Sequence, residues 1–183
     1  METQTKIYFT GDTHFGHKNI IKFTNRPFKD VGQMDEQLIS NWNKVVGPND
    51  SVYHLGDFSL GSISACRNIL DRLNGKIFLI KGNHEKTAVA CTSRFEWVKD
   101  YHEMYLPTGG KKQMVVLCHY AMRVWNASHH GAWQLYGHSH GTLPDDPNLL
   151  SIDVGVDCHD YKPISVAQIQ KIMEKKTWVP PFG

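Results

Sequence analysis

Short apolar runs alternate along this chain with stretches in which apolar residues recur every three or four positions. The runs predict strands at Lys6–Thr10, Ser51–Leu55, Lys76–Ile80, Met114–Cys118, Trp133–Tyr136 and Leu149–Val156. Several are continuously apolar, as strands covered on both faces are. Between them, Met34, Leu38, Trp42 and Val45 fall on one stripe and predict a helix over Met34–Val46. A second helix is expected over Ser62–Leu73, capped by its serine and stopped at Asn74-Gly75. Ser165-x-x-Gln168 reads as a capping box that opens a third, with Val166, Ile169 and Met173 inward. The segment His102–His119, with Pro107-Thr108-Gly109-Gly110 in its middle, reads as two antiparallel strands and a turn. Strands alternating with helices and then succeeding one another predict a layered α/β sandwich, not a purely parallel sheet.

No repeat, low-complexity tract or linker-like stretch divides the 183 residues, so one domain is expected over 1–183. The apolar share of 40% and charged share of 21% are those of an ordinary globular protein. A net charge of +2 supplies no general basic field for long duplex nucleic acid or membrane. Four cysteines without a CxxC pair predict a reduced, cytoplasmic protein. The start, METQTK, is polar and unlike a signal peptide, and no apolar run is long enough to cross a bilayer. Eleven histidines change this plain picture, and their placement matters more than their number.

Five successive predicted strands run directly into polar residues. The exits are Gly11-Asp12-Thr13-His14, Gly56-Asp57, Gly82-Asn83-His84-Glu85, His119-Tyr120 and Gly137-His138-Ser139-His140. In four of them a glycine comes immediately before the first polar residue, letting the backbone turn sharply and bring a short side chain to a shared centre. Ligands of open α/β sheets bind at these carboxyl ends. Each piece alone has a plain reading: Asp12 as a helix cap, Gly56-Asp57 as a turn, Asn83 as a left-handed turn residue, His119 as a core histidine. Asp12-x-His14 and His138-x-His140 are different, because each puts two ligand types on the same side of an extended chain. Independent caps and turns do not predict that every polar exit bears a metal donor. The set Asp12, His14, Asp57, Asn83, His119, His138 and His140 lacks cysteine, which argues against a structural zinc clip. It suits Mn²⁺, Fe, Zn²⁺, Co²⁺ or Ni²⁺. Seven donors are too many for one ion and fit two that share a carboxylate.

In this order the motifs D-x-H, G-D, G-N-H-[D/E], a lone H and G-H-x-H resemble the calcineurin-like metallophosphoesterase family, over most of the chain from Asp12 to His140. More narrowly, "DTHFGHKNII", "RPF", "VYHLGDF" and "HYAMRVW" are similar to small phosphohydrolase-like proteins of bacteria and phages. The resemblance implies a four-layer α/β/β/α sandwich of mixed sheets, and the short gaps between motif segments leave no stretch long enough for a separate cap domain. It implies one ion on Asp12, His14, Asp57 and His140, and a second on Asp57, Asn83, His119 and His138. Mn²⁺ is the leading expectation for both. His84 matches the family's proton-donating histidine. Many relatives carry an acidic residue three positions after the bridging aspartate, where this chain has Leu60.

The reaction this predicts is hydrolysis of a phosphoric ester. A hydroxide bridging two ions about 3.5–4 Å apart would attack phosphorus, and His84 would protonate the leaving alkoxide. An open, net-positive centre with few fixed cations favours a phosphodiester, such as a cyclic nucleotide or a nucleic-acid end. A phosphomonoesterase acting on a small metabolite is the alternative, with Arg26 or Arg123 supplying further positive charge. A non-catalytic metal-binding scaffold of the same fold is the rival from another class. His17, Arg26 and Arg123 are candidate phosphate contacts, with solvated or capping roles as the plain reading. Trp125 and Trp133 read as core, His54 as packing beside the site, and Asp153, Asp157 and His159 receive no chemistry.

Overall fold

The computed structural model describes residues 5–180, so the polar METQ start lies outside the described residues. Its strands are β1 (Ile7–Thr10), β2 (Ser51–His54), β3 (Lys76–Ile80), β4 (Trp97–Lys99), β5 (Tyr101–Thr108), β6 (Lys111–Cys118), β7 (Trp133–Tyr136), β8 (Ser151–Asp153) and β9 (Ile164–Ser165). The helices are α1 (Ile20–Phe23), α2 (Val31–Val45), α3 (Ile63–Arg72), α4 (Lys86–Val89) and α5 (Val166–Met173). One sheet runs β4-β3-β2-β1-β9 and the other β5-β6-β7-β8. In the first, β1 to β4 are parallel and β9 pairs antiparallel to β1. In the second, β5 and β6 form the antiparallel hairpin, while β6, β7 and β8 are parallel. This is a single α/β domain of mixed sheets.

Alternation of side chains divides the apolar residues between layers. Tyr8, Val52, Ile77 and Leu79 face α2 and α3, meeting Met34, Leu38, Trp42, Ile69 and Leu70. From the other face, Phe9 joins Leu106, Val115, Leu117, Leu135 and Ile152 between the sheets, and Ile169 and Met173 of α5 close that core. The far face of the second sheet is covered by the segment around Trp125, which packs on Val116 and donates its indole N–H to Ala132 O at 2.9 Å.

Predicted ends shift where a side chain intervenes. α2 starts at Val31, three residues before the predicted Met34, because Asp30 accepts from Gln33 N at 2.8 Å and caps it there. Ser62 caps α3 and the Ser165–Gln168 capping box opens α5, both as expected. The predicted strand Leu149–Val156 shortens to β8, because Asp153 Oδ1 accepts from Gly155 N at 2.7 Å and turns the chain. There Gly155 bridges to Gly11, and Val156 N donates to Gly11 O at 3.0 Å. That bridge stitches the carboxyl end of β1 to the segment after β8. Parallel pairing places the exits of β1, β2 and β3 along one edge of the first sheet, and those of β6, β7 and β8 along one edge of the second. The stitch brings these edges together.

Candidate metal centre

Two donor groups form where the edges meet. Asp12, His14 and His140 offer ligand atoms within 4.8 Å of one another, and so do Asp57, His119 and His138. Asp57 joins the groups: its Oδ2 is 3.5 Å from His14 Nε2 and 3.8 Å from His119 Nε2. Asn83 belongs with the second group, its Oδ1 lying 3.2 Å from His119 Nε2. Above them is a cleft of ≈ 460 Å³, whose lining includes His17, His84 and Leu60.

The backbone takes an unusual path to do this. Asp12, His14, Asp57, His138 and His140 all have φ between 48° and 69°, five of the nine non-glycine residues in the left-handed region among those described. Such residues are uncommon and cluster at functional sites, where surrounding structure over-determines them. Here the over-determination is visible. Asp12 N donates to Gly56 O and His14 N to Asp57 O, both at 2.9 Å. His84 N donates to Asp57 Oδ1, and His138 N to Asp12 Oδ2, both at 2.8 Å.

The glycines before the donors have a reason beyond turning. A Cβ on Gly137 would lie 2.6 Å from Asp12 Oδ2, one on Gly82 would collide with Asp57, and one on Gly56 with His119. Each glycine leaves room for a donor from another strand exit, for Gly137 and Gly56 one from the opposite sheet. Only Gly56 among these three also needs a positive φ, at 99°.

The electrostatics call for a cation. Asp12 Oδ1 and His14 Nε2 are buried without a hydrogen-bond partner among the described residues. Burial first, and then the carboxylates of Asp153 and Asp57, push the Asp12 carboxyl well above its ordinary range. Burial, with His140, Arg26, His17 and His84 around it, takes His14 down to about 2, so its imidazole is neutral at physiological pH. A neutral ring and a buried carboxyl oxygen, neither with a partner among the described residues, fit the donor set of a cation. Tautomers are set from behind. His119 Nδ1 lies 2.7 Å from the Leu55 carbonyl, which can only accept, so Nε2 carries the lone pair toward Asp57 and Asn83. His140 Nδ1 lies 2.7 Å from Asp157 Oδ2 and is the donor there. The donor set therefore fits two divalent ions.

The profile of calcineurin-like phosphoesterases matches residues 5–153. The chain belongs to that family. It is 40% identical over 177 residues to an uncharacterised protein of Methanocaldococcus jannaschii, covering 93% of this chain and 92% of the relative. To the gene 66 protein of Mycobacterium phage L5 it is 32% identical over 187 residues, covering 84% and 87%. A solved structure of a protein of unknown function from Aquifex aeolicus superimposes with a TM-score of 0.73 at 27% identity, covering 92% of this chain and all of that one.

The structure brings together all seven predicted donors of this calcineurin-like phosphoesterase, with His84 exposed beside them, its ring 5.9 Å from that of His14. His17 lines the cleft, its Nδ1 3.3 Å from His14 Nδ1. Two predicted phosphate contacts are corrected. Arg26 is buried: Nη2 donates to Asp12 O at 2.7 Å, Nη1 to Thr13 O at 3.0 Å, and Nε and Nη2 to the Asp157 carboxylate at 2.8 and 2.7 Å. Its charge is taken up beneath the donors and does not face the cleft. Arg123 is exposed and is not part of the cleft lining. Trp125 and Trp133 are buried as expected, and His54 Nε2 lies 3.0 Å from Thr13 Oγ1 behind the site.

Three acids were missed as supports. Asp157 takes both Arg26 and His140; burial pushes its carboxyl up, and their hydrogen bonds and charge more than reverse this, leaving it below the ordinary range. Buried Glu85 accepts from Asp57 N and Gly82 N at 2.7 Å and from Phe58 N at 3.0 Å, tying two donor loops together. Asp153 Oδ2 accepts from Ser139 Oγ at 2.6 Å and Gly141 N at 3.1 Å, pinning the His138–His140 loop. A signal existed for Asp153 and Asp157. Asp153 ends β8 and Asp157 follows it, at a strand exit like the other five. No helix among the described residues is long and apolar enough to cross a membrane.

Proposed function

We propose that this chain hydrolyses phosphodiesters at a dinuclear metal centre. The observation that carries the reading is the position of Asp57, whose carboxylate lies between two donor groups and within reach of a histidine from each. Asp12, His14, Asp57 and His140 would hold one ion, and Asp57, Asn83, His119 and His138 the other, with Mn²⁺ the first to try. Such a pair supplies positive charge for the phosphoryl oxygens and lowers the pKa of bound water. The chain's own groups do the rest. His14, neutral, donates its lone pair without first losing a proton. His84, exposed at the rim and anchored through its backbone to Asp57, is placed to protonate the departing oxygen.

The diester reading is favoured over a monoester by where the arginines are. With Arg26 buried against Asp157 and Arg123 outside the cleft, no fixed guanidinium among the described residues lines the cleft to meet a second phosphate charge. Complete donors and His84 together count against a purely structural scaffold.

The test uses metal-stripped protein, reconstituted separately with Mn²⁺, Ni²⁺, Zn²⁺ and Mg²⁺, on bis-p-nitrophenyl phosphate and p-nitrophenyl phosphate. Metal-dependent cleavage of the diester, abolished by Asp57→Asn, is the expected result. Preference for the monoester would overturn the substrate class, and no turnover with two ions bound would overturn the enzyme. His84→Ala should slow alkyl diesters by roughly 10²–10⁴-fold and aryl diesters far less, since a nitrophenolate leaves without a proton. Equal loss on both would remove His84 from the proton-donating role.

A further inference from the structure

The donor groups are flanked by two exposed aromatic rings. Phe23 is 72% exposed, the most exposed large apolar side chain among the described residues. It lines the cleft from α1, a single turn anchored by buried Ile20, and stands edge-on to His17 at 6.2 Å. His17 in turn lies 5.3 Å from His14 and 6.5 Å from His84, ring centre to ring centre. Leu60, in the position where many relatives are acidic, adds to the same apolar wall. Tyr120, 46% exposed, stands just outside the cleft lining, edge-on to His119 at 4.9 Å and to the lining residue His138 at 4.8 Å. Ring contacts therefore link Phe23 through His17 to His14 of the first donor group, and Tyr120 to His119 and His138 of the second. One exposed ring thus adjoins each donor group.

We propose that Phe23 and Tyr120 are stacking platforms for nucleobases, and that the substrate is a phosphodiester with a nucleoside on each side: a dinucleotide or the end of a short single strand. This rests on the phosphodiesterase reading above. An aromatic face left in water gains by being covered, and every base has a face to cover it with. The geometry disfavours an acyl chain, which needs a continuous apolar groove, whereas these rings are separated by imidazoles and carboxylates. Thr24, Ser139 and Thr142 also line the cleft and give polar partners for base edges or sugar hydroxyls. Exposed Lys18 precedes α1 and exposed Lys22 lies on it, where the next phosphate of a strand would pass. A net charge of only +2 fits a short strand and not a long duplex. The His84 ring neighbours His14 and His17, the rings nearest Phe23, so Phe23 receives the leaving nucleoside and Tyr120 the retained one.

Two measurements on Mn²⁺-loaded protein test this, and both platform residues are exposed, so their variants should fold. Calorimetry compares adenosine 5′-monophosphate with ribose 5-phosphate, which lacks the base. The nucleotide should bind about tenfold tighter to the wild type. That advantage should shrink in Phe23→Ala and in Tyr120→Ala, vanish in the double variant and persist in Phe23→Trp, while ribose 5-phosphate binding stays constant. Equal binding of the two ligands, or an advantage that survives the double variant, overturns the platforms. Turnover of thymidine 5′-(p-nitrophenyl phosphate) is then compared with that of methyl p-nitrophenyl phosphate, which shares its leaving group. The thymidine ester should have the higher kcat/KM, and Tyr120→Ala should erase the difference. If both esters react with equal kcat/KM, the platforms fail while the phosphodiesterase reading stands. If neither reacts, that reading fails and calorimetry alone decides the platforms.

Discussion

The two donor groups differ in how deeply they are set and in what stands behind them. Asp12 and His14 are buried, and His140 is backed by Asp157, itself paired with Arg26. Arg26 also holds the carbonyls of Asp12 and Thr13, so one guanidinium fastens the β1 exit to the ring that β7 delivers. The second group is more open: His138 and Asn83 are exposed, and the support behind His119 is a single backbone carbonyl. Outer partners that fix ring orientation and ligand basicity commonly carry much of a site's affinity. The expectation is that the first group holds its ion more tightly than the second.

The largest effect should come from Asp12→Asn. Titration of metal-stripped protein should fall from two ions to one, with the tight ion lost, because asparagine keeps a single acceptor oxygen. With that oxygen accepting from His138 N, an amide NH₂ without a lone pair to give takes the buried place of Oδ1. Two ions bound at unchanged affinity would break the comparison outright. Asp157→Asn comes next. It should weaken the tight ion by roughly 10–100-fold, leave the other unchanged, and lower the melting temperature, since buried Arg26 loses its carboxylate. If both ions weaken alike, the support is shared and the asymmetry is wrong.

The smallest effect sharpens the picture beneath the first group. Asp35 accepts from Gly16 N at 3.1 and 3.2 Å, just after His14, and burial above all takes its carboxyl up to about 6. A folded pKa above the unfolded value means that its contribution is full below about pH 4 and is lost as pH rises through about 6. Melting temperatures of wild type and Asp35→Asn, followed from pH 4 to 7, should therefore diverge, with the variant gaining relative to wild type as pH rises. Parallel curves would refute the raised carboxyl.

Much of this centre was legible in the sequence because its donors follow strands directly. Asp12 and His14 could be read as a chelating pair from spacing alone, and the assignment of Asp57 as the bridge came from family resemblance. His138 and His140 were legible as donors but serve different groups. Neither pair lies on the extended chain expected of it, since all four residues have positive φ. What escaped notice acts across long separations. Arg26 sits in sequence beside the first donors, which suggested phosphate, yet its role is set by Asp157, 131 positions away. Glu85 adjoins His84 in a recognised motif, but its three backbone partners come from two different loops. β4 has only three residues, too few to leave a pattern, and exists through its pairing with β3.

The left-handed backbone at five of the donors bears on which residues could ever stand there. Asp, Asn and His are the non-glycine types that tolerate this conformation best, and they are also oxygen and nitrogen donors. The choice of donor at Asp12, His14, Asp57, His138 and His140 is therefore made twice, once by the metal and once by the peptide chain. A designer who wished to retune the ion with glutamate or cysteine at these positions would meet resistance from the main chain before any from coordination chemistry. Asn83 and His119 are free of that second constraint, and are the places where this centre can change its metal preference at least cost.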